Sequence, residues 1–185
     1  MTKIDLTDSL EKIPVKIFPD SGSGSAFVAK EIAALIKEKE AEGKKPVIGL
    51  ATGSSPKTLY AELVRMHKEE GLSFKNVITF NLDQYYPMNK DALQSYHYFM
   101  RKNLFEQTDI DPNNYHLPDG MIPKDKVKEH CISYEKQIED AGGLDLQILG
   151  IGVNGHIGFN EPGSGIYTKT RLTNLDNSTR LANSY

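Results

Sequence analysis

The chain has 185 residues, 38% of them hydrophobic, enough to bury one sizeable core and little beyond it. Its formal net charge is −3 and its 22 Lys and Arg residues are scattered, which argues against a nucleic-acid footprint or a membrane-surface patch. No apolar run approaches the roughly 20 residues of a membrane helix, and Cys131 has no second cysteine to pair with.

The opening segment, MTKIDLTDSLEKIPVKIF, is interrupted by Lys3, Asp5, Asp8, Glu11 and Lys12 where a signal peptide would stay apolar, so a reducing cytoplasm is the expected compartment. Residues 1–14 read as an extension and 15–185 as one α/β domain. VKIF (15–18) is a predicted strand. SGSGS (21–25) resembles a linker but immediately precedes a helical pattern, which makes it a turn and N-cap. In SAFVAKEIAALIKEKEAEG, Val28, Ile32, Leu35 and Ile36 fall on one helical face, closing near Gly43. PVIGLA (46–51) is a second strand, followed from about Lys57 by a helix with Leu59, Leu63 and Met66 inward, and NVITFNL (76–82) is a third. A helix near LQSYHYFMRKNLFEQ follows, then one with Val127, Cys131, Tyr134 and Ile138 at helical spacing, and LDLQILG returns to strand. Four strands separated by helices predict a doubly wound, mostly parallel sheet with helices on both faces.

Ligands of such sheets bind beyond the carboxyl ends of the strands, so three segments carry the functional reading. In LATGSSPKTLY, Thr52, Gly53, Ser54 and Ser55 let a ligand approach the backbone, Ser55 suits an N-cap and Pro56 the first helical position. Such a turn offers free N–H groups, hydroxyls and a helix dipole to an anion, most simply a phosphate; the spacing is neither a Walker A loop nor GxGxxG. The alternative is an ordinary strand-to-helix turn. In FNLDQYYPM, Asp83 closes an apolar strand, where a carboxylate can serve as general base or brace a loop, and Tyr85 and Tyr86 can stack on a sugar ring or pack. In LDLQILGIGVNGHIGFNEPGSG, a buried strand runs into a glycine-rich loop holding His156 and Glu161, a proton-shuttle pair on a backbone able to wrap a small ligand. A metal on His156, Glu161 and Asp83 is disfavoured because no paired spacing such as HExxH is present.

LATGSSP, FNLDQYY followed by SYHYFM, and LGIGVNGHIGFNEPGS followed by TR and TRLANS, resemble the glucosamine-6-phosphate deaminases, in the same order over about residues 15–185. The resemblance implies a Rossmann-like α/β fold and conversion of glucosamine 6-phosphate and water into fructose 6-phosphate and ammonia, with no metal, nicotinamide or other cofactor. It implies that Thr52, Gly53, Ser54 and Ser55 hold the phosphate, that Asp83 carries a proton between C2 and C1, and that His156 opens the pyranose ring with help from Asn154 and Glu161. The implied partner is an amino-sugar phosphate, not nucleic acid or membrane, and a homo-oligomer is compatible with it.

Three departures qualify the resemblance. Asn154 stands where aspartate is frequent; it can orient His156 but cannot balance an imidazolium charge. Tyr185 stands where a phosphate-gripping arginine is frequent. The family's domain also runs on past residue 185, which leads us to expect a longer polypeptide. Ser164 and Arg171 match positions of an activator site in regulated members, but Thr173 stands where a lysine is expected. Two other readings remain at this stage. One is a 6-phosphogluconolactonase-like hydrolase, against which DQYY and GHIGFNEP speak. The other is a non-catalytic sugar-phosphate sensor.

Overall fold

The computed structural model describes residues 13–182; the readings made on the first twelve residues and on Tyr185 lie outside these. Helix α1, Ser21–Ala41, is capped by Asp20, whose carboxylate accepts from the Ser23 N–H at 2.7 Å, so SGSGS forms the first turn rather than leading up to it. Strand β1 is Val47–Leu50, helix α2 Pro56–Glu70, strand β2 Ile78–Asn81 and helix α3 Tyr96–Asn103. After them come the two-residue strand β3 at Tyr115–His116, helix α4 at Val127–Asp140, strand β4 at Leu146–Gln147 and the short helix α5 at Asn177–Ala182.

The sheet is parallel throughout, in the order β3-β2-β1-β4. Side-chain alternation along its strands builds two layers. Ile48 and Leu50 face α1 and α2, burying Ile32, Ile36, Leu59 and Leu63, while Val47 and Phe80 turn to the other side against Tyr134 of α4. Helices thus cover both faces, as the strand–helix alternation predicts. Asp145 fixes the register of the edge strand: its carboxylate accepts from the Val47 N–H at 2.9 Å and pairs with Lys39 of α1.

Two strand assignments differ from expectation. VKIF forms no strand; Ile17 is 93% exposed, and the segment meets α1 through Phe18 against Phe27, ring centroids 5.4 Å apart, and Lys16 over the same ring at 4.0 Å. The four-stranded sheet instead gains β3, whose two residues carry too little pattern to stand out from the surrounding Pro, Asn and Asp loop. Strand β4 is also much shorter than LDLQILG: Leu146 and Gln147 pair with Ile48 and Gly49, the flanking Asp145 and Ile148 N–H groups bond the Val47 and Gly49 carbonyls, and the chain then leaves the sheet. No helix among the described residues is long and apolar enough to cross a membrane.

Candidate active site

The connection after β2 runs outward through α3 to β3, whereas the connection after β3 returns through α4 to place β4 on the opposite side of β1. The direction of winding therefore reverses between β1 and β4, and the crevice at that reversal is where an open parallel sheet binds ligands. The loops after β1 and β4, about a hundred residues apart in sequence, meet there. Thr52, Gly53, Ser54, Ser55, Asp83, Tyr96, His156 and Phe159 all line one cavity of about 510 Å³.

On the β1 side, Pro56 takes the first turn of α2 and Ser55 the N-cap position, but the Ser55 side chain makes no capping bond and its hydroxyl is left for other use. Ser55 contributes its carbonyl instead, accepting from Thr58 Oγ1 at 3.3 Å, and Thr58 is in turn bonded to Ser25 of α1 at 2.7 Å. The loop after β1 is thereby moored to two helices.

Asp83 lies two residues past the end of β2 and is half-buried. Burial pushes its carboxyl up to about 7, and among the described residues no positive group offsets that shift. A carboxyl in that range exchanges protons efficiently near neutral pH.

On the β4 side, His156 lies against Gly152. A Cβ on Gly152 would stand 2.1 Å from the imidazole Cε1, so only glycine leaves room for the ring. Gly158, at φ +58°, carries the returning chain toward Asp83; a Cβ there would lie 3.9 Å from Asp83 Oδ2. Asn154 Nδ2 donates to Glu161 Oε2 at 2.8 Å, and since a carboxylate only accepts, this orients the amide. Asn154 Oδ1 then faces His156 Nδ1 at 2.7 Å, so Nδ1 carries the proton and Nε2 keeps its lone pair. The same Oδ1 accepts from the His156 backbone N–H at 3.1 Å. Glu161 stands 4.0 Å from His156 Nδ1, its carboxyl held below the ordinary carboxylate range by hydrogen bonds from Thr179, Asn154 and the Asp176 N–H. Asn154 therefore links His156 to Glu161 as a relay of hydrogen bonds.

The structure thus brings Thr52 to Ser55, Asp83 and His156 to one cavity, with Asn154 and Glu161 behind the imidazole. Tyr85 is placed differently. Its ring packs between Tyr96 and Phe159, with centroids 4.8 and 5.4 Å away, and it lines a neighbouring cavity of about 600 Å³ that shares Asp83 and Phe159 as a wall. Sequence reasoning did not single out Tyr96 or Phe159, although both lie inside the quoted motifs. Among the described residues, no three His, Cys, Asp or Glu side chains gather to hold a metal ion. Arg171 bonds Ser164 Oγ at 3.1 Å and Asn160 Oδ1 at 3.0 Å, tying its segment to the end of the glycine-rich loop.

A parallel α/β sheet whose switch point gathers the Thr52 to Ser55 loop, a buried carboxyl and an oriented histidine has the ligand crevice of an open α/β fold. The family of glucosamine-6-phosphate isomerases and 6-phosphogluconolactonases matches residues 19–167, and the chain belongs to this family. A glucosamine-6-phosphate deaminase-like protein of Bacteroides thetaiotaomicron is 48% identical over 171 residues, covering 92% of this chain and 26% of that protein. The glucosamine-6-phosphate deaminase of a Thermoanaerobacter species is 48% identical over 156 residues, covering 84% of this chain and 61% of that protein. The chain therefore spans less than two thirds of the length of either relative. Among solved structures, a monomeric glucosamine-6-phosphate deaminase superposes with a TM-score of 0.87 at 38% identity, over 92% of this chain and 68% of its own.

Proposed function

We propose that this chain carries the active site of a glucosamine-6-phosphate deaminase, converting glucosamine 6-phosphate and water into fructose 6-phosphate and ammonia in the cytoplasm. The observation that carries the reading is the convergence, in one 510 Å³ cavity, of an anion loop, a carboxyl titrating near 7 and a histidine of defined tautomer.

Each part has a step to perform. The backbone N–H groups and hydroxyls of Thr52 to Ser55, at the positive end of α2, take the 6-phosphate. His156 Nε2 accepts the C1 hydroxyl proton and delivers it to the ring oxygen, opening the pyranose; Asn154 and Glu161 keep the imidazole aligned while it is transiently charged. Asp83, as carboxylate, removes the C2 proton and returns it to C1 while the C1 oxygen takes up a proton that the amino group gives up, which leaves a hydroxyl on C1 and an imine at C2. Water adds to that carbon and ammonia departs. Atoms balance without an oxidant, and the work lies in proton placement within a partly closed site. Because Asp83 must be ionised to begin, turnover rises with pH through about 7.

The test is ammonia release from glucosamine 6-phosphate by this chain, with glucosamine lacking the phosphate and 6-phosphogluconolactone as parallel substrates. Ammonia from the phosphorylated sugar and far weaker binding of the unphosphorylated one are expected. Lactone hydrolysis without ammonia release would assign the site to the family's other activity, and tight binding without turnover would make the chain a sensor.

A further inference from the structure

The strand that leads to Asp83 stops fixing the chain just before it. The Leu82 N–H still bonds the Leu50 carbonyl at 3.1 Å, but from Asp83 to Met88 the backbone forms neither helix nor strand. Where the carboxyl stands therefore depends on what holds this loop. Toward β3 the loop is tied by the Met88 N–H on the Gly120 carbonyl at 2.9 Å and by the Tyr86 hydroxyl on the Ile122 carbonyl at 2.8 Å. A Cβ on Gly120 would stand 2.5 Å from the Met88 oxygen and 2.8 Å from the Tyr85 oxygen, so glycine lets the two loops close on each other. Toward α3 the tie is a side chain, that of Gln84.

The Gln84 carboxamide is engaged at both ends. Oε1 accepts from the Tyr85 N–H at 2.9 Å and the Tyr96 N–H at 3.3 Å, which uses both its lone pairs and fixes which end of the amide is oxygen. Nε2 donates to Ser95 Oγ at 3.2 Å. Ser95 is fully buried, and its hydroxyl oxygen caps α3 by accepting from the His97 N–H at 3.1 Å. Tyr96 and His97 open the helix, where N–H groups have no acceptor within it; Ser95 supplies one acceptor and Gln84 the other. The same carboxamide thus grips the backbone next to Asp83 and the start of the helix whose Tyr96 lines the cavity with Asp83.

We propose that Gln84 is a positioning residue of the candidate site: its carboxamide ties the Asp83 loop to the first turn of α3 and so fixes where the Asp83 carboxyl stands. The kinetic consequence rests on the sugar-phosphate reading; the placement rests on geometry alone. The Thr52 to Ser55 loop is moored separately, through Thr58 and Ser25, so loosening Gln84 should misplace the carboxyl and leave the phosphate contacts intact. Chemistry should then suffer and binding should not.

Gln84→Met keeps the length of the side chain and removes its hydrogen bonds. It should lower kcat about tenfold with KM within about twofold, and the Tyr96 amide, left without its acceptor, should exchange with solvent faster. Gln84→Glu is the rescue: one carboxylate oxygen keeps both N–H groups and the other accepts the Ser95 O–H. At about pH 9, where Asp83 is ionised, its kcat should lie within about threefold of the unaltered chain. A folded Gln84→Met chain with unchanged kcat overturns the proposal, and so does an equal loss of kcat in Gln84→Glu. If the unaltered chain releases no ammonia from glucosamine 6-phosphate, the sugar-phosphate reading fails and crystal structures of the unaltered and Gln84→Met chains decide the placement. An Asp83 carboxyl displaced by about 1 Å or more supports it, and an unmoved one overturns it. Should Gln84→Met not fold, Gln84→Ala is measured in its place against the same criteria.

Discussion

A carboxyl held neutral by burial exacts a cost that can be measured without any substrate. Asp83 titrates near 3.8 when unfolded and near 7 in the folded chain. Between those values the unfolded chain has released its proton and the folded chain has kept it, so the folded state binds more protons and stability falls as pH rises across the window. At 1.36 kcal/mol per pH unit, the loss sums to about 4 kcal/mol by pH 8 and then levels off. That is a large share of the 5–15 kcal/mol typical of a domain. Asp83→Asn has nearly the same shape and no charge, so it should match the wild type near pH 4 and exceed it progressively, by up to about 4 kcal/mol, at pH 8. Urea denaturation of both chains at matched pH values gives the difference directly and cancels the contribution of every other titrating group. Turnover should meanwhile drop by at least about 10²-fold, since the proposed general base is lost. A stability difference that does not change between pH 4 and pH 8 would refute the assignment of a burial-raised carboxyl at this position.

Two further predictions concern the histidine loop. Gly152→Ala puts a methyl 2.1 Å from the His156 ring, which must move by more than 1 Å to restore ordinary contact, and the 2.7 Å bond to Asn154 cannot survive that displacement; turnover should fall about 10²-fold with little change in melting temperature, and an unaltered imidazole nitrogen spectrum would show that the ring does not rest there. Asn154→Asp replaces the donor facing Glu161 Oε2 at 2.8 Å by a second carboxylate oxygen, so the melting temperature should drop at pH 8 and recover as the pH approaches the carboxylate range; equal melting of the two chains at pH 8 would refute the relay.

How much of the fold was legible depended on how much apolar pattern each element carries. Helices α1, α2 and α4 present Ile32 and Ile36, Leu59 and Leu63, and Cys131 and Tyr134 at helical spacing, and these side chains are buried as expected. Strand β1 is buried along its whole length, which makes it a continuous apolar run. VKIF has the same local pattern as a strand and is not one, because a strand exists only where a neighbour supplies its hydrogen bonds, and none of the sheet's pairings reaches residues 15–18. Two residues of β3 suffice for pairing yet are too few for any periodicity to register.

The site separates along a different line. Thr52 to Ser55, Asp83, Asn154, His156 and Glu161 each lie within a short walk of a strand's carboxyl end, so the rule that parallel sheets bind ligands there singles them out one loop at a time. What no single loop reveals is which of them meet, because that depends on β4 reversing the winding and settling beside β1 rather than extending the sheet past β3. The use of Tyr85 and Tyr96 hangs on that reversal as well. Both are aromatic residues near Asp83 in sequence, equally able to stack on a sugar. Once the β4 loop returns over Asp83 it brings Phe159 against Tyr85 and beside Tyr96, so that Tyr85 faces the cavity bordered by α4 and Tyr96 the one that holds the Thr52 loop. Which of two nearby rings faces which cavity is therefore set by the strand order, not by how close each lies to Asp83 in sequence.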